Sequence, residues 1–256
     1  MLKSLVSAFL MYSRIPMPQV EWKKENRRYA LGWFPLIGAV IGGLLLLWRL
    51  FCTEFGCGQI LFAAVAVMIP VLVTGGIHMD GFCDVTDARA SCADKEKRLQ
   101  IMSDPHIGSF AVIRVCLYLI LQTALFTQIS DIRCTAVIAC GYVLSRAFSG
   151  LSAVTFRCAK KNGTLQDFVK PSHRSVTIAM ASIFAVIAFA IMIFADYMQG
   201  CAAFGSAVLC FLYYKQIAYN EFGGTTGDLC GWFLQLCEIT MLAAAVLVQI
   251  LTGGMI

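Results

Sequence analysis

The chain has 256 residues, 59% of them hydrophobic and 14% charged, with a net charge of +5 and a mean hydropathy of +0.76. Soluble domains carry roughly 25% charged residues, so the composition argues against a water-soluble fold and predicts an all-α, polytopic transmembrane helical bundle of about seven spans, a single integral membrane domain over 1–256. The twelve cysteines match no metal-ligand spacing, and those in or near apolar runs, such as Cys134 and Cys210, behave as small hydrophobes, so no disulfide framework is expected.

Met1 to Tyr12 is a short apolar start that runs into Arg14-Ile15-Pro16-Met17-Pro18. It lacks a small-residue cleavage site and reads as a membrane-surface or half-inserted helix within an N-terminal segment, 1–30. Seven apolar segments follow, approximately Leu31–Phe51, Gln59–His78, Phe110–Ile129, Cys134–Phe156, Val176–Ala195, Cys201–Tyr219 and Trp232–Leu251. Each has about the length that crosses a hydrocarbon core of about 30 Å.

The links alternate in character. One set, which includes Arg14, Arg89, Arg98, Arg157, Lys160 and Lys161, holds sixteen of the twenty basic residues; the other holds Arg133 and, near a membrane end, Arg49, while Arg114 and Arg146 fall within spans. Positive charge marks the cytoplasmic side, so the N-terminus and the long segments 1–30, 79–109, 157–175 and 220–231 are expected inside, at the inner membrane, with the C-terminus outside. Topology thus accounts for the positive charge. The expected partner is the lipid bilayer, with no nucleic acid.

The segment Gly75-Gly76-Ile77-His78-Met79-Asp80-Gly81-Phe82-Cys83-Asp84-Val85-Thr86-Asp87 begins at the end of the second span. The spacing i, i+4, i+7 places Asp80, Asp84 and Asp87 on one helix face. Stacked carboxylates repel one another and are costly at membrane depth, so they call for a cation or a solvated helix end. Hard oxygen donors around an open site suit Mg²⁺. His78 reads either as a ligand or acid/base, or as a hydrogen-bonded structural residue.

Downstream, Ser91-Cys92-Ala93-Asp94 reads as a capping box. A short amphipathic helix through Arg98 and Leu99 must then end near Asp104, because Pro105 disfavours a helical residue before it. Asp104 is placed to complete the metal site, and Arg98, six residues earlier and off that face, to contact phosphate. The loop Gly223-Gly224-Thr225-Thr226-Gly227-Asp228 lacks the lysine of a nucleotide P-loop, yet a Gly/Thr loop at a helix start can hold phosphate through its N–H groups, with a plain turn as the alternative. Glu238 lies within the last apolar segment, where an unpaired acid is costly. Arg146 is its candidate partner, in a pair that is either functional or structural.

Together with Phe34-Pro35-Leu36-Ile37-Gly38, Ile101-Met102-Ser103-Asp104, Gly108 and Ser145-Arg146, these motifs resemble, in order and spacing from residue 14 to residue 238, the cobalamin synthase family, the adenosylcobinamide-GDP ribazoletransferases. The resemblance implies a Mg²⁺-dependent enzyme of the cytoplasmic membrane that joins adenosylcobinamide-GDP to α-ribazole or its 5′-phosphate with release of GMP. It places the metal ligands at Asp80, Asp84, Asp87 and Asp104; the candidate catalytic groups are Asp80, Asp84 and His78, with the hydroxyl proton passing either to a carboxylate or to His78. Substrate contacts then fall to Arg14, Arg98, Arg146, Gly223, Gly224, Thr226, Asp228 and Glu238. Ala88 departs from the family, which often has glycine after the third aspartate.

Two rivals are a CDP-alcohol phosphatidyltransferase, whose aspartate pattern Asp84-Val85-Thr86-Asp87-Ala88-Arg89 imitates only in part, and a cation-coupled transporter, whose acids belong nearer the bilayer midplane. Gly38, Gly42 and Gly43 permit close helix contact within or between chains, which leaves room for a homo-oligomer and for association with other cobalamin-assembly enzymes.

Overall fold

A computed structural model describes residues 1–160 and 163–252, which leaves the basic Lys161 outside the described residues. The helices run in the order α1 (Leu2–Tyr12), α2 (Lys24–Arg27), α3 (Ala30–Glu54), α4 (Gln59–Thr74), α5 (Ile77–Ala90), α6 (Lys95–Ile101), α7 (Ser109–Thr127), α8 (Ile132–Thr155), α9 (Thr164–Val169), α10 (Arg174–Ala195), α11 (Tyr197–Glu221) and α12 (Gly227–Leu251). Six of them, α3, α7, α8, α10, α11 and α12, are long and apolar enough to cross a membrane.

The second expected span is corrected. It does not run straight to His78, because α4 stops at Thr74 and the chain turns by 94° into α5. Gly75 and Gly76 have φ of +65° and +80°, left-handed values that glycine adopts without steric cost. The N–H groups of both close back on the Val71 carbonyl, capping α4. The 16 residues of α4 reach about 24 Å, most of a bilayer core. The polar α5 lies across the end of the bundle, against α12 and α7.

Helix α8 is the centre of the bundle, with residues buried on all sides from Cys134 to Val154. Glycines on α3 permit the closest approach to it: a Cβ on Gly38 would sit 2.2 Å from the Tyr142 carbonyl oxygen, and one on Gly42 2.5 Å from that of Ala139. Both glycines therefore serve packing within the chain, whereas Gly43 faces open space. Apolar side chains such as Ile187 and Ile191 on α10 and Leu117 and Ile120 on α7 remain exposed, as a lipid-facing surface requires.

The two ends of the bundle differ. At one, the turns are tight: Asp196 alone joins α10 to α11 and caps the latter by accepting from Gln199 N–H at 2.8 Å. There the buried Arg49 donates to the Ile129 carbonyl and lies 3.4 Å from the Phe62 ring centroid, tying α3 to α4 and to the α7–α8 turn. The opposite end carries α1, α2, α5, α6 and α9 and the longer links.

Candidate active site

At the long-link end, α5 crosses the start of α12 in backbone contact. A Cβ on Gly81 would stand 2.7 Å from the Asp228 carbonyl oxygen, and one on Gly231 3.2 Å from the His78 Cα. That crossing brings Asp228, in the first turn of α12, within electrostatic reach of Asp80 and Asp84. Partial burial, then Asp80, Asp228 and Asp87 in turn, push the Asp84 carboxyl up to about 7, opposed by Lys160. Lys160 donates to Ser103 Oγ at 2.7 Å and lines a small pocket with Thr226 and Asp228.

The expected carboxylate set is redistributed. Asp87 shares the helix with Asp80 and Asp84, but its two oxygens accept from Gly108 N–H at 2.6 Å and Ala111 N–H at 2.9 Å, so it caps α7. Gly108 must be small there, because a Cβ would meet Asp87 Oδ1 at 2.6 Å. Asp104 is exposed and turned to His106, whose backbone N–H and ring bond to it at 2.9 and 2.7 Å and hold its carboxyl below the usual range. Asp80, Asp228 and Asp87 lie within electrostatic reach of Asp84, whereas Asp104 is exposed and paired with His106. The cap of α6 is Asp94, which accepts from Lys97 N–H at 2.9 Å, in place of the expected box at Ser91.

Among the described residues, no three acidic, histidine or cysteine side chains close on one point as a finished metal cage. The donor chemistry nevertheless fits Mg²⁺, which keeps several waters and is held by one or two carboxylates together with substrate phosphates. Crowded acidic oxygens opposed by a single lysine amount to an environment that a divalent cation relieves.

The remaining candidates separate into three places. Arg14 lies along the rim, its side chain filling the space a Cβ on Gly75 would occupy, beside a groove of about 650 Å³ that Asp80 also lines. Arg98 is held elsewhere: it donates to Glu221 Oε2 at 2.6 Å, while Arg89 grips both Glu221 oxygens at 3.1 and 3.0 Å, in a separate groove with Arg114 and Trp232. Arg146 is fully buried and donates to Glu238 at 2.5 Å, Tyr142 O at 3.0 Å and Ser145 Oγ at 3.1 Å. The structural alternative for this pair is the one its geometry supports.

In the glycine-rich loop, Gly223 has φ of +76° and its carbonyl accepts from Arg157. Gly224 passes so close to the chain at Arg157 that a Cβ would lie 2.4 Å from that carbonyl oxygen. Thr225 pairs with the Cys158 strand-like segment, and Thr226 caps α12 by accepting from Leu229 N–H at 3.1 Å. This network fixes where Asp228 starts. His78 is buried beside Phe34, ring centroids 5.7 Å apart, and its Nε2 has no hydrogen-bond partner. Sequence reasoning missed Lys160, which it counted only as topological charge.

Fold and site together define a multi-pass membrane enzyme with an acidic centre at one end of its helical bundle. The profile of the family described as cobalamin-5-phosphate synthase matches residues 4–246. The chain belongs to that family. It is 44% identical over 249 residues to the adenosylcobinamide-GDP ribazoletransferase of Lachnoclostridium phytofermentans, a match covering 97% of this chain and 95% of the relative. The enzymes so named from Clostridium perfringens strain 13 and Pseudomonas fluorescens strain SBW25 are 28% and 29% identical, each over 93% of this chain and 95% and 96% of their own. No solved structure matches. With the family established, the phosphatidyltransferase and transporter readings fall away.

Proposed function

We propose that this chain joins adenosylcobinamide-GDP to α-ribazole or its 5′-phosphate and releases GMP, at the cytoplasmic face of the inner membrane and with Mg²⁺ as cofactor. Family membership and the 44% identical relative support the reaction. The observation that carries the site is the close backbone crossing of α5 and α12 at Gly81 and Asp228, which leaves Asp80, Asp84 and Asp228 within electrostatic reach of one another. The concentration of basic residues in the long links supports the orientation.

Asp80, Asp84 and Asp228 are the residues to hold Mg²⁺, which when bound neutralises charge on the diphosphate. Arg14 and Lys160 flank the acids and offer charged donors to phosphate oxygens. The Thr226-capped start of α12 adds the N–H groups and partial positive charge of a helix N-terminus. An acceptor hydroxyl oxygen bonds to the phosphorus that carries cobinamide, the P–O bond to GMP breaks, and the hydroxyl proton passes to a carboxylate of the cluster. Asp87 acts as a positioning residue by fixing α7 against α5.

The test is incubation of purified protein in detergent with adenosylcobinamide-GDP, α-ribazole and Mg²⁺, following GMP and the corrinoid product. Turnover is expected from the wild type and is lost in Asp80→Asn and Asp84→Asn proteins that still insert; full activity in either variant refutes the metal-holding role.

A further inference from the structure

Beneath the acids, and continuous with them, lies a cavity of about 180 Å³ that enters the bundle between α1, α3, α5, α8 and α12. It is well beyond the roughly 10–15 Å³ that a single water needs. Asp80, Gly227 and Asp228 line it where it meets the acids, and Leu31, Ala153 and Leu234 are among its apolar walls. One side is a run of rings: Tyr12 to Phe34 at 4.4 Å between centroids, then Phe34 to His78 at 5.7 Å. His78 is 5% exposed, lines this cavity, and leaves Nε2 without a partner.

We infer that this cavity is the binding site for the flat bicyclic base of the nucleoside acceptor, an inference that rests on the reaction proposed above. An aromatic wall suits a planar ring by stacking and edge contact. A benzimidazole nucleoside has one ring nitrogen free once the other carries ribose, and otherwise presents hydrocarbon to the walls. Guanine carries a carbonyl, an amino group and a ring N–H along one edge, more polar groups than the mostly apolar lining away from Asp80 and Asp228 pairs. A corrin macrocycle is too large for the space. With the base inserted, the ribose lies toward the acids, where its hydroxyls meet Asp80 and Asp228.

The experiment fills the cavity from its α8 wall. Ala153 is 2% exposed and lines the cavity, so Ala153→Phe occupies the space of the base, and Ala153→Leu is the milder variant should the first not fold. α-Ribazole alone is titrated calorimetrically into wild-type and variant proteins in nanodiscs, and KM is measured for each substrate in the full reaction. Binding of α-ribazole is expected to weaken by about tenfold or more, the effect of losing one good contact surface, while the KM for adenosylcobinamide-GDP holds. Unchanged α-ribazole binding in both variants, a loss that falls on the GDP-bearing substrate, or a wild type that fails to bind α-ribazole each overturns the inference. If the wild type binds α-ribazole in this cavity yet forms no GMP, the proposed reaction fails and the cavity assignment stands.

Discussion

Arg146→Ala should unfold the bundle more readily and leave substrate affinity alone. The guanidinium and the Glu238 carboxylate are 1% and 4% exposed, and Arg146 Nη1 makes three of the hydrogen bonds that hold α8 to α12 and to its own preceding turn. Removing it leaves Glu238 with Ser145 Oγ, 3.0 Å away, as its hydrogen-bond partner. Breaking one half of a buried ion pair costs about 3–5 kcal/mol, because an uncompensated charge stays behind, whereas replacing both halves by apolar groups of similar volume is neutral or stabilising by about 1–4 kcal/mol. Arg146→Ala and Glu238→Ala should therefore each lower stability by about 3–5 kcal/mol, and the double variant Arg146→Met, Glu238→Leu should regain most of it. Unfolding by mixed-micelle denaturant titration, followed by circular dichroism, gives the three values, and a double-mutant cycle gives the coupling. If Arg146→Ala left stability unchanged while raising the KM for the GDP-bearing substrate, Arg146 would be a phosphate contact and the structural reading of the pair would be wrong.

Three further outcomes follow from the acid helix. Burial and neighbouring acids raise the Asp84 carboxyl from 3.8 to about 7, so the charged form is penalised in the folded state. Without metal, stability is retained at low pH and lost as pH rises from about 4 to about 7. Asp84→Asn should thus be more stable than wild type in chelator at pH 8, by about 1–2 kcal/mol after allowance for solvent screening. The gap should narrow as pH falls toward 4 and be offset in the wild type by Mg²⁺; thermal melts with and without Mg²⁺ that show no such divergence would sink this account. Gly81→Ala forces the α5–α12 crossing apart, and should insert normally while losing about 100-fold or more in turnover; near-native kcat would show that the acids do not depend on this contact. Asp87→Ala should cost about 0.5–2 kcal/mol as a lost cap without changing the Mg²⁺ concentration for half-maximal rate, and a raised Mg²⁺ requirement would return Asp87 to the ligand set.

The spans were legible because burial in lipid demands long apolar runs, and the aspartate helix because a spacing of four and seven has one meaning on a helix. The turn at Gly75-Gly76 was harder: both residues are apolar enough for a hydropathy window to run through them, and only their left-handed backbone ends α4. Asp87 could not be told from Asp84 by spacing, since the N–H groups that occupy it belong to Gly108 and Ala111. Asp228 and Lys160 join the acids through the α5–α12 crossing and the Ser103 contact, pairings far apart in sequence that no local pattern encodes. Arg146 and Glu238 were visible as charges inside apolar segments, where each makes sense only with the other.

The right-angle turn after α4 decides where the carboxylates of α5 lie. Asp84 lies ten residues past Thr74, so a helix that continued straight would carry it about 15 Å beyond the bundle, out in bulk water with nothing around it. Folding sideways instead lays the carboxylates over the ends of their neighbours, and the lipid-embedded scaffold itself becomes the walls that other enzymes obtain from a globular headpiece. A hydrophilic phosphate donor is thereby met at the water's edge by a protein built almost wholly for oil.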